Sequence, residues 1–176
     1  QTHGINDLRV FFLKNKKKIN VYADKITLSY LKNNFSYYFN DGIEYPAILN
    51  GNKLKSNFFL GSKKELIKFK SIKVTHGKIN SIGYIFGNTA YISDCNKLSN
   101  SNLNKLKNLK YFIIDCLRFN HHPSHFSLSE VLDILKEIKP TNTILTNLHS
   151  DLDYNILLKK LPINVKPAFD GLKIQL

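Results

Sequence analysis

Hydrophobic and polar positions along this chain switch between a helical and a strand period. Ile5, Leu8 and Phe12 recur at helical spacing, which predicts a helix over Ile5–Leu13. Ile19–Tyr22 reads as a short strand. Asp24 stands at the N-cap of a helix running to about Asn33, with Ile26, Leu28 and Leu31 as its apolar positions. Phe35–Asn57 is aromatic and turn-rich and fits no single element. Phe58–Leu60 and Glu65–Val74 read as strands, and Gly83–Phe86 with Ala90–Ile92 as a hairpin turning at Gly87–Asn88. From there strand and helix alternate: helix Ser99–Leu109, buried strand Tyr111–Ile114, helix Leu128–Ile138, strand Thr143–Leu145, helix Tyr154–Leu161, then strands Asn164–Lys166 and Leu172–Gln175. Ser127 caps the second of these helices, with Glu130 at the capping-box position. Antiparallel pairs followed by strand–helix alternation predict an α/β fold with a mixed sheet. A length of 176 residues suits one domain, spanning 1–176.

Composition narrows the function classes. No Gly-x-Gly-x-x-Gly or Walker A sequence occurs, so nucleotide-cofactor motifs are absent. No apolar run approaches the roughly 20 residues of a membrane span, and no signal peptide is recognisable. The net charge of +13 could serve nucleic acid, but all of its basic residues except Arg9 and Arg118 are Lys, spread along the chain. Together with abundant Asn and Ile, this reads as a solvated surface; nucleic-acid binding is possible but not favoured. Cys95 and Cys116 each follow an Asp at the end of an apolar run, which predicts buried free thiols in a reducing, cytoplasmic setting. Methionine is absent, and helical periodicity begins almost at once. We therefore expect a fragment whose missing strands leave an uncovered sheet edge, with a homo-oligomer as one consequence.

Four places combine His or Asp with the end of a strand: His76 before Gly77 and Lys78; Asp94 in Ser93-Asp94-Cys95; His121-His122-Pro123-Ser124-His125 after Asp115-Cys116-Leu117-Arg118; and Asn147-Leu148-His149-Ser150-Asp151. Imidazole with carboxylate is the ligand set of zinc, manganese or iron. Singly each has a bland reading: a structural hydrogen-bonding His, a turn Asp at Asp94, an Asx turn at Asp115, a solvated Lys78. Four such places at consecutive strand ends point to one metal cleft.

In this order, His76-Gly-Lys, Ser93-Asp94-Cys95, Asp115-Cys-Leu-Arg118, His122-Pro-Ser-His125-Phe and Leu145-Thr-Asn-Leu-His149 closely resemble the metallo-β-lactamase superfamily. The resemblance is nearest to the bacterial phosphodiesterases of phosphoribosyl 1,2-cyclic phosphate, with tRNase Z more distant. Gly4-Ile-Asn-Asp-Leu-Arg9 resembles the helix that follows the His-x-His-x-Asp-His motif in that branch. The resemblance implies an αββα sandwich with mixed sheets, here without its N-terminal part. It implies one or two divalent ions, Zn or Mn, with most first-site ligands upstream of Gln1. His76 would be a ligand and Asp94 the carboxylate between two metals. His125 would be the catalytic acid, with His122, Arg118 and Lys78 near a small phosphodiester substrate. For Arg118 a structural bridge to Asp115 is the stronger expectation.

Two departures fall on one metal site. Gln1 stands where a His is usual, with His3 two residues on; Asn147 stands where the family has Leu-Thr-His, with His149 two residues on. Amides are poor zinc ligands. Either the second site has gone, or His3 and His149 rebuild it. The expected activity is metal-dependent phosphodiester hydrolysis, with this fragment itself inactive. The alternative is a non-catalytic, weakly metal-binding protein on a degenerate scaffold, binding nucleic acid through its basic surface.

Overall fold

A computed structural model describes residues 2–42, 45–62 and 65–175 and divides the chain into two compact units, Gln1–Lys55 and Ser56–Leu176. In the first, a 3₁₀ turn Thr2–Asp7 leads into α1 (Leu8–Asn15), β1 (Ile19–Ala23), α2 (Lys25–Asn34), a short 3₁₀ turn Ser36–Tyr38 and β2 (Leu49–Lys53). Asp24 caps α2 by accepting from the backbone N–H groups of Ile26 and Thr27. β2 runs parallel to β1 with Ile19 opposite Leu49, so the unassigned stretch Phe35–Asn57 contains a strand that its Asn- and Gly-rich sequence, Leu-Asn-Gly-Asn-Lys, conceals. Ile5, Leu31, Tyr38, Ile48 and Leu49 form this unit's core.

The second unit is built on a seven-stranded sheet: β3 (Asn57–Ser62), β4 (Glu65–His76), β5 (Ile79–Phe86), β6 (Thr89–Ile92), β7 (Tyr111–Asp115), β8 (Asn142–Thr146) and β9 (Val165–Pro167), which lie side by side in chain order. β3 to β6 pair antiparallel; β6 to β9 pair parallel, joined by α3 (Asn100–Lys105), α4 (Leu128–Ile138) and α5 (Tyr154–Lys160). This is the mixed α/β sheet the pattern predicts. The near-continuous apolar runs of β6, β7 and β8 are buried: Ala90, Ile92, Phe112, Ile114 and Leu145 are 0% exposed. α4 adds Val131 and Ile138 to the same core.

Two predicted elements differ. The helix expected over Ser99–Leu109 ends at Lys105, where Leu106 N–H is shared between the Asn102 and Leu103 carbonyls and Asn108 takes a left-handed φ of 58°. Residues Leu172–Gln175 form no strand: Gly171 has φ 88° and Leu172 N–H bonds back to Phe169 O, turning the chain away from β9.

The capping box at the start of α4 is complete, with Ser127 Oγ accepting from Glu130 N–H and the Glu130 carboxylate accepting from Ser127 N–H at 2.8 Å. Partial burial raises the Glu130 carboxyl, but hydrogen bonds from the Ser127 hydroxyl and N–H and from His121 outweigh it and hold the group below its ordinary 4.5. Ser127→Ala is expected to cost about 1 kcal/mol in urea denaturation at neutral pH. Because the folded value is depressed, the carboxylate's contribution is full above 4.5 and fades as pH falls through the lower folded value. A wild-type midpoint that does not fall between neutral pH and pH values below 4.5 would contradict this.

Candidate metal centre

The sheet's strand directions bring the site together. β4 and β6 are each antiparallel to β5, and β6, β7 and β8 are parallel, so the ends of β4, β6, β7 and β8 share one edge. His76 ends β4, Asp94 lies two residues past β6, Asp115 ends β7, and Asn147 follows β8. Gly77 breaks β4 at φ +60°, where a Cβ would stand 3.0 Å from Ser124 Cβ. Glycine here removes both the left-handed penalty and the bulk that would hold the Pro123–Ser124 loop away. Asn96 ties the same parts together: its Oδ1 accepts from Gly77 N–H at 2.9 Å and its Nδ2 donates to Pro123 O at 3.0 Å.

On this edge His76, Asp94 and His125 each offer a donor atom, all within 4.8 Å of one another. Both imidazoles are anchored from behind. His76 Nδ1 lies 2.7 Å from Ser124 O, a carbonyl that can only accept, so Nδ1 carries the proton and Nε2 keeps a lone pair. His125 Nδ1 lies 2.7 Å from Asp115 Oδ2 and is fixed in the same sense. The two rings meet edge to face with centroids 4.6 Å apart. Asp94 Oδ2 accepts from Ser93 Oγ at 2.8 Å, and its backbone carbonyl accepts from Ser81 Oγ.

Asp115 is 0% exposed, and three donors converge on its carboxylate: His125 Nδ1, Cys95 N–H at 3.0 Å and Asn147 Nδ2 at 3.0 Å. Burial pushes its pKa up, and the bonds from Cys95, Asn147 and His125 pull against that rise. This corrects two expectations. Asp115 does not bridge to Arg118, whose Nη2 donates to His121 O at 3.2 Å while its buried Nε has no hydrogen-bond partner among the described residues. Nor is Asp115 a turn-former; it is the carboxylate behind His125. An acid ending an apolar run was the signal the sequence offered, but it does not name the side chain the carboxylate faces. Asn96 and Ser124 carried no comparable signal.

The other predicted residues are placed less centrally. His122 lies beside His125, with centroids 5.2 Å apart and its Nδ1 toward Ser124 N–H. Desolvation first, then the Arg118 and His125 charges, lower its pKa. Lys78 is exposed in the β4–β5 turn. His149 is exposed and outside the His76–Asp94–His125 group, its Nδ1 3.0 Å from Asp151 Oδ1. His3 belongs to the first unit, its ring edge-on to Phe35. Both cysteines are free and buried, as expected, with burial pushing each thiol up to about 12. An open groove of about 610 Å³ in the first unit is walled by Asn20, Lys32, Phe39, Asn50 and Asn52 among others; it holds no imidazole or carboxylate and is not the site of this chemistry.

A family model described as the beta-lactamase superfamily domain matches residues 1–147. The chain belongs to the beta-lactamase superfamily. This superfamily chain is similar to the crystal structure of a new diphosphatase from the PhnP family, at 27% identity and TM-score 0.78 over 90% of this chain and 59% of that one. Its fold also matches YhfI from Bacillus subtilis, a metallo-beta-lactamase fold protein, at 14% identity and TM-score 0.72, covering 97% of this chain and 71% of that one. Among curated proteins it is 24% identical over 175 residues to an octanoyltransferase of Porphyromonas gingivalis (strain ATCC BAA-308 / W83), covering 97% of this chain. The chain spans about a third (34%) of that relative's length and 59% of the diphosphatase's.

The metallo-β-lactamase fold implies a divalent metal, and the donor set fits one. Two imidazoles with Nδ1 anchored and Nε2 bare, beside a carboxylate, are the arrangement metal-binding histidines adopt. Asn147 has only its Oδ1 left as a possible ligand atom, a weaker donor for zinc than imidazole, because its Nδ2 is directed at Asp115. No helix among the described residues is long and apolar enough to cross a membrane.

Proposed function

We propose that this chain carries part of the active site of a divalent-metal-dependent phosphodiesterase acting on a small, soluble phosphodiester, a cyclic one included. The observation that carries the reading is the convergence of His76, Asp94 and His125 from the end of β4 and the segments after β6 and β7, both imidazoles anchored through Nδ1. The diphosphatase among its structural relatives supports phosphorus–oxygen chemistry. His76 and Asp94 would hold the ion, Zn or Mn. When bound, such an ion neutralises charge on a phosphoryl oxygen and acidifies a water. His125, protonated at both nitrogens, gives its Nε2 proton to the leaving oxygen and is left neutral, its Nδ1–H still donating to Asp115. His122 and Arg118 lie on the same loop as His125 and would contact the phosphate; Lys78 is a weaker contributor. His76 and Asp94 alone leave a tetrahedral site two ligands short, so the 176-residue chain by itself holds metal weakly and is inactive. The buried free thiols suit a reducing, cytoplasmic compartment. They also give no support to acyl transfer through cysteine, since thiols pushed up to about 12 are poor nucleophiles at neutral pH.

The test is a substrate panel on the full-length protein with Mn or Zn: a cyclic phosphate, an alkyl phosphodiester, a diphosphate, a thioester and a β-lactam. The expected result is turnover of the phosphorus esters alone, abolished by EDTA. Thioester or lactam turnover without phosphodiester turnover would overturn the reading.

A further inference from the structure

The amide at Asn147 has a use that its place in the family pattern does not suggest. β8 pairs with β7 so that Thr146 lies opposite Asp115, and Cys116 N–H bonds Thr146 O at 3.0 Å, which brings the next residue beside the Asp115 carboxylate. Asn147 then takes φ 61°, a left-handed conformation that asparagine tolerates better than most residues. Its Nδ2 donates to Asp115 Oδ1 at 3.0 Å, on the oxygen that His125 and Cys95 leave open, since both of those donate to Oδ2. Nδ2 also lies 3.3 Å from His125 Nδ1. Both nitrogens are donors aimed at one carboxylate, so this closeness reflects a shared acceptor rather than a bond between them. A carboxylate held on both oxygens cannot rotate, and the orientation of Asp115 decides which ring nitrogen of His125 carries the proton.

We propose that Asn147 is a positioning residue, whose amide braces Asp115 and thereby fixes His125 as the Nδ1–H tautomer with Nε2 left for the cleft. Its functional meaning rests on the reading of His125 as proton donor, but its test does not. Asn147 is exposed, so substitution there is tolerated by the fold. Asn147→Gly removes the amide while keeping a residue at ease at positive φ. Asn147→Asp keeps the shape but places a carboxylate, with nothing to donate, against Asp115.

The experiment is ¹⁵N NMR of the histidine rings in the 176-residue chain, without metal or substrate, at a pH well above the ordinary imidazole value of about 6.5. Wild-type His125 is expected to be Nδ1–H in large excess. Asn147→Gly should lower the Nδ1–H to Nε2–H ratio about tenfold, the weight of one hydrogen bond to a charged group. Asn147→Asp should lower it at least as far, and the His76 ring, anchored by Ser124, should not change. Unchanged urea midpoints would show that the ratio moves without general loosening. A His125 ratio equal to wild type in both variants would overturn the proposal, and so would a wild-type His125 found mainly as Nε2–H. Neither result bears on whether the protein hydrolyses phosphodiesters, and absence of turnover in the substrate panel does not bear on the tautomer.

Discussion

His125→Ala in the metal-loaded full-length protein is expected to slow hydrolysis of an alkyl phosphodiester by about 10²- to 10⁴-fold, the range for loss of a positioned general acid. The effect should depend on the leaving group. An alkoxide needs a proton as the bond to phosphorus breaks; p-nitrophenolate leaves readily without one. The same variant should therefore lose far less rate on a p-nitrophenyl phosphodiester, with little change in metal affinity. This separates the two roles the geometry allows His125, because its donor atom lies within 4.8 Å of those of His76 and Asp94. A ligand would take the metal with it, and both substrates would fail together. Equal losses on both substrates with metal retained would rule out proton donation.

Phe112→Ala should destabilise the second unit by about 3–5 kcal/mol. Phe112 is 0% exposed in β7 and sits in register with Ala90 on β6 and Thr143 on β8. The loss combines the transfer energy of a full aromatic ring with a cavity that flanking strands cannot close, because their spacing is fixed by the hydrogen-bond ladder. The consequence reaches the site: β6, β7 and β8 lead to Asp94, Asp115 and Asn147, and loosening their register spreads the edge on which those side chains meet. Phe112→Leu, which refills most of the volume, should cost markedly less. Urea denaturation measures both, and a loss below about 1 kcal/mol for the alanine variant would mean that this core does not hold the strands.

What could be read from the sequence was what depends on local pattern. The Ser127 and Asp24 caps, the hairpin at Gly87 and the buried runs of β7 and β8 are specified by a few neighbouring residues, and the structure places them where the pattern does. The mixed sheet followed from connection type; the strand order that puts His76 and Asp94 on one edge came only with the structure. β2 was hidden because Asn and Gly occupy a strand held by pairing with β1, not by its own propensity. The role of Asp115 was hidden for a different reason. A carboxylate's partner depends on side-chain direction across the sheet, and Arg118, three residues away, was the nearer candidate along the chain. Asn147 was read for the ligand it displaces, whereas its amide serves a neighbour 32 residues earlier.

His76 and Asp94 are proposed to bind a divalent ion beside His125. Isothermal titration of Zn or Mn into the full-length protein tests it most directly, with wild type compared against His76→Ala and Asp94→Ala. Wild type should bind saturably, with affinity weakened by at least about 100-fold in each variant, as expected when one ligand of a small set is removed. Wild-type affinity in both variants would contradict it, since an ion indifferent to both residues is not bound on this edge of the sheet.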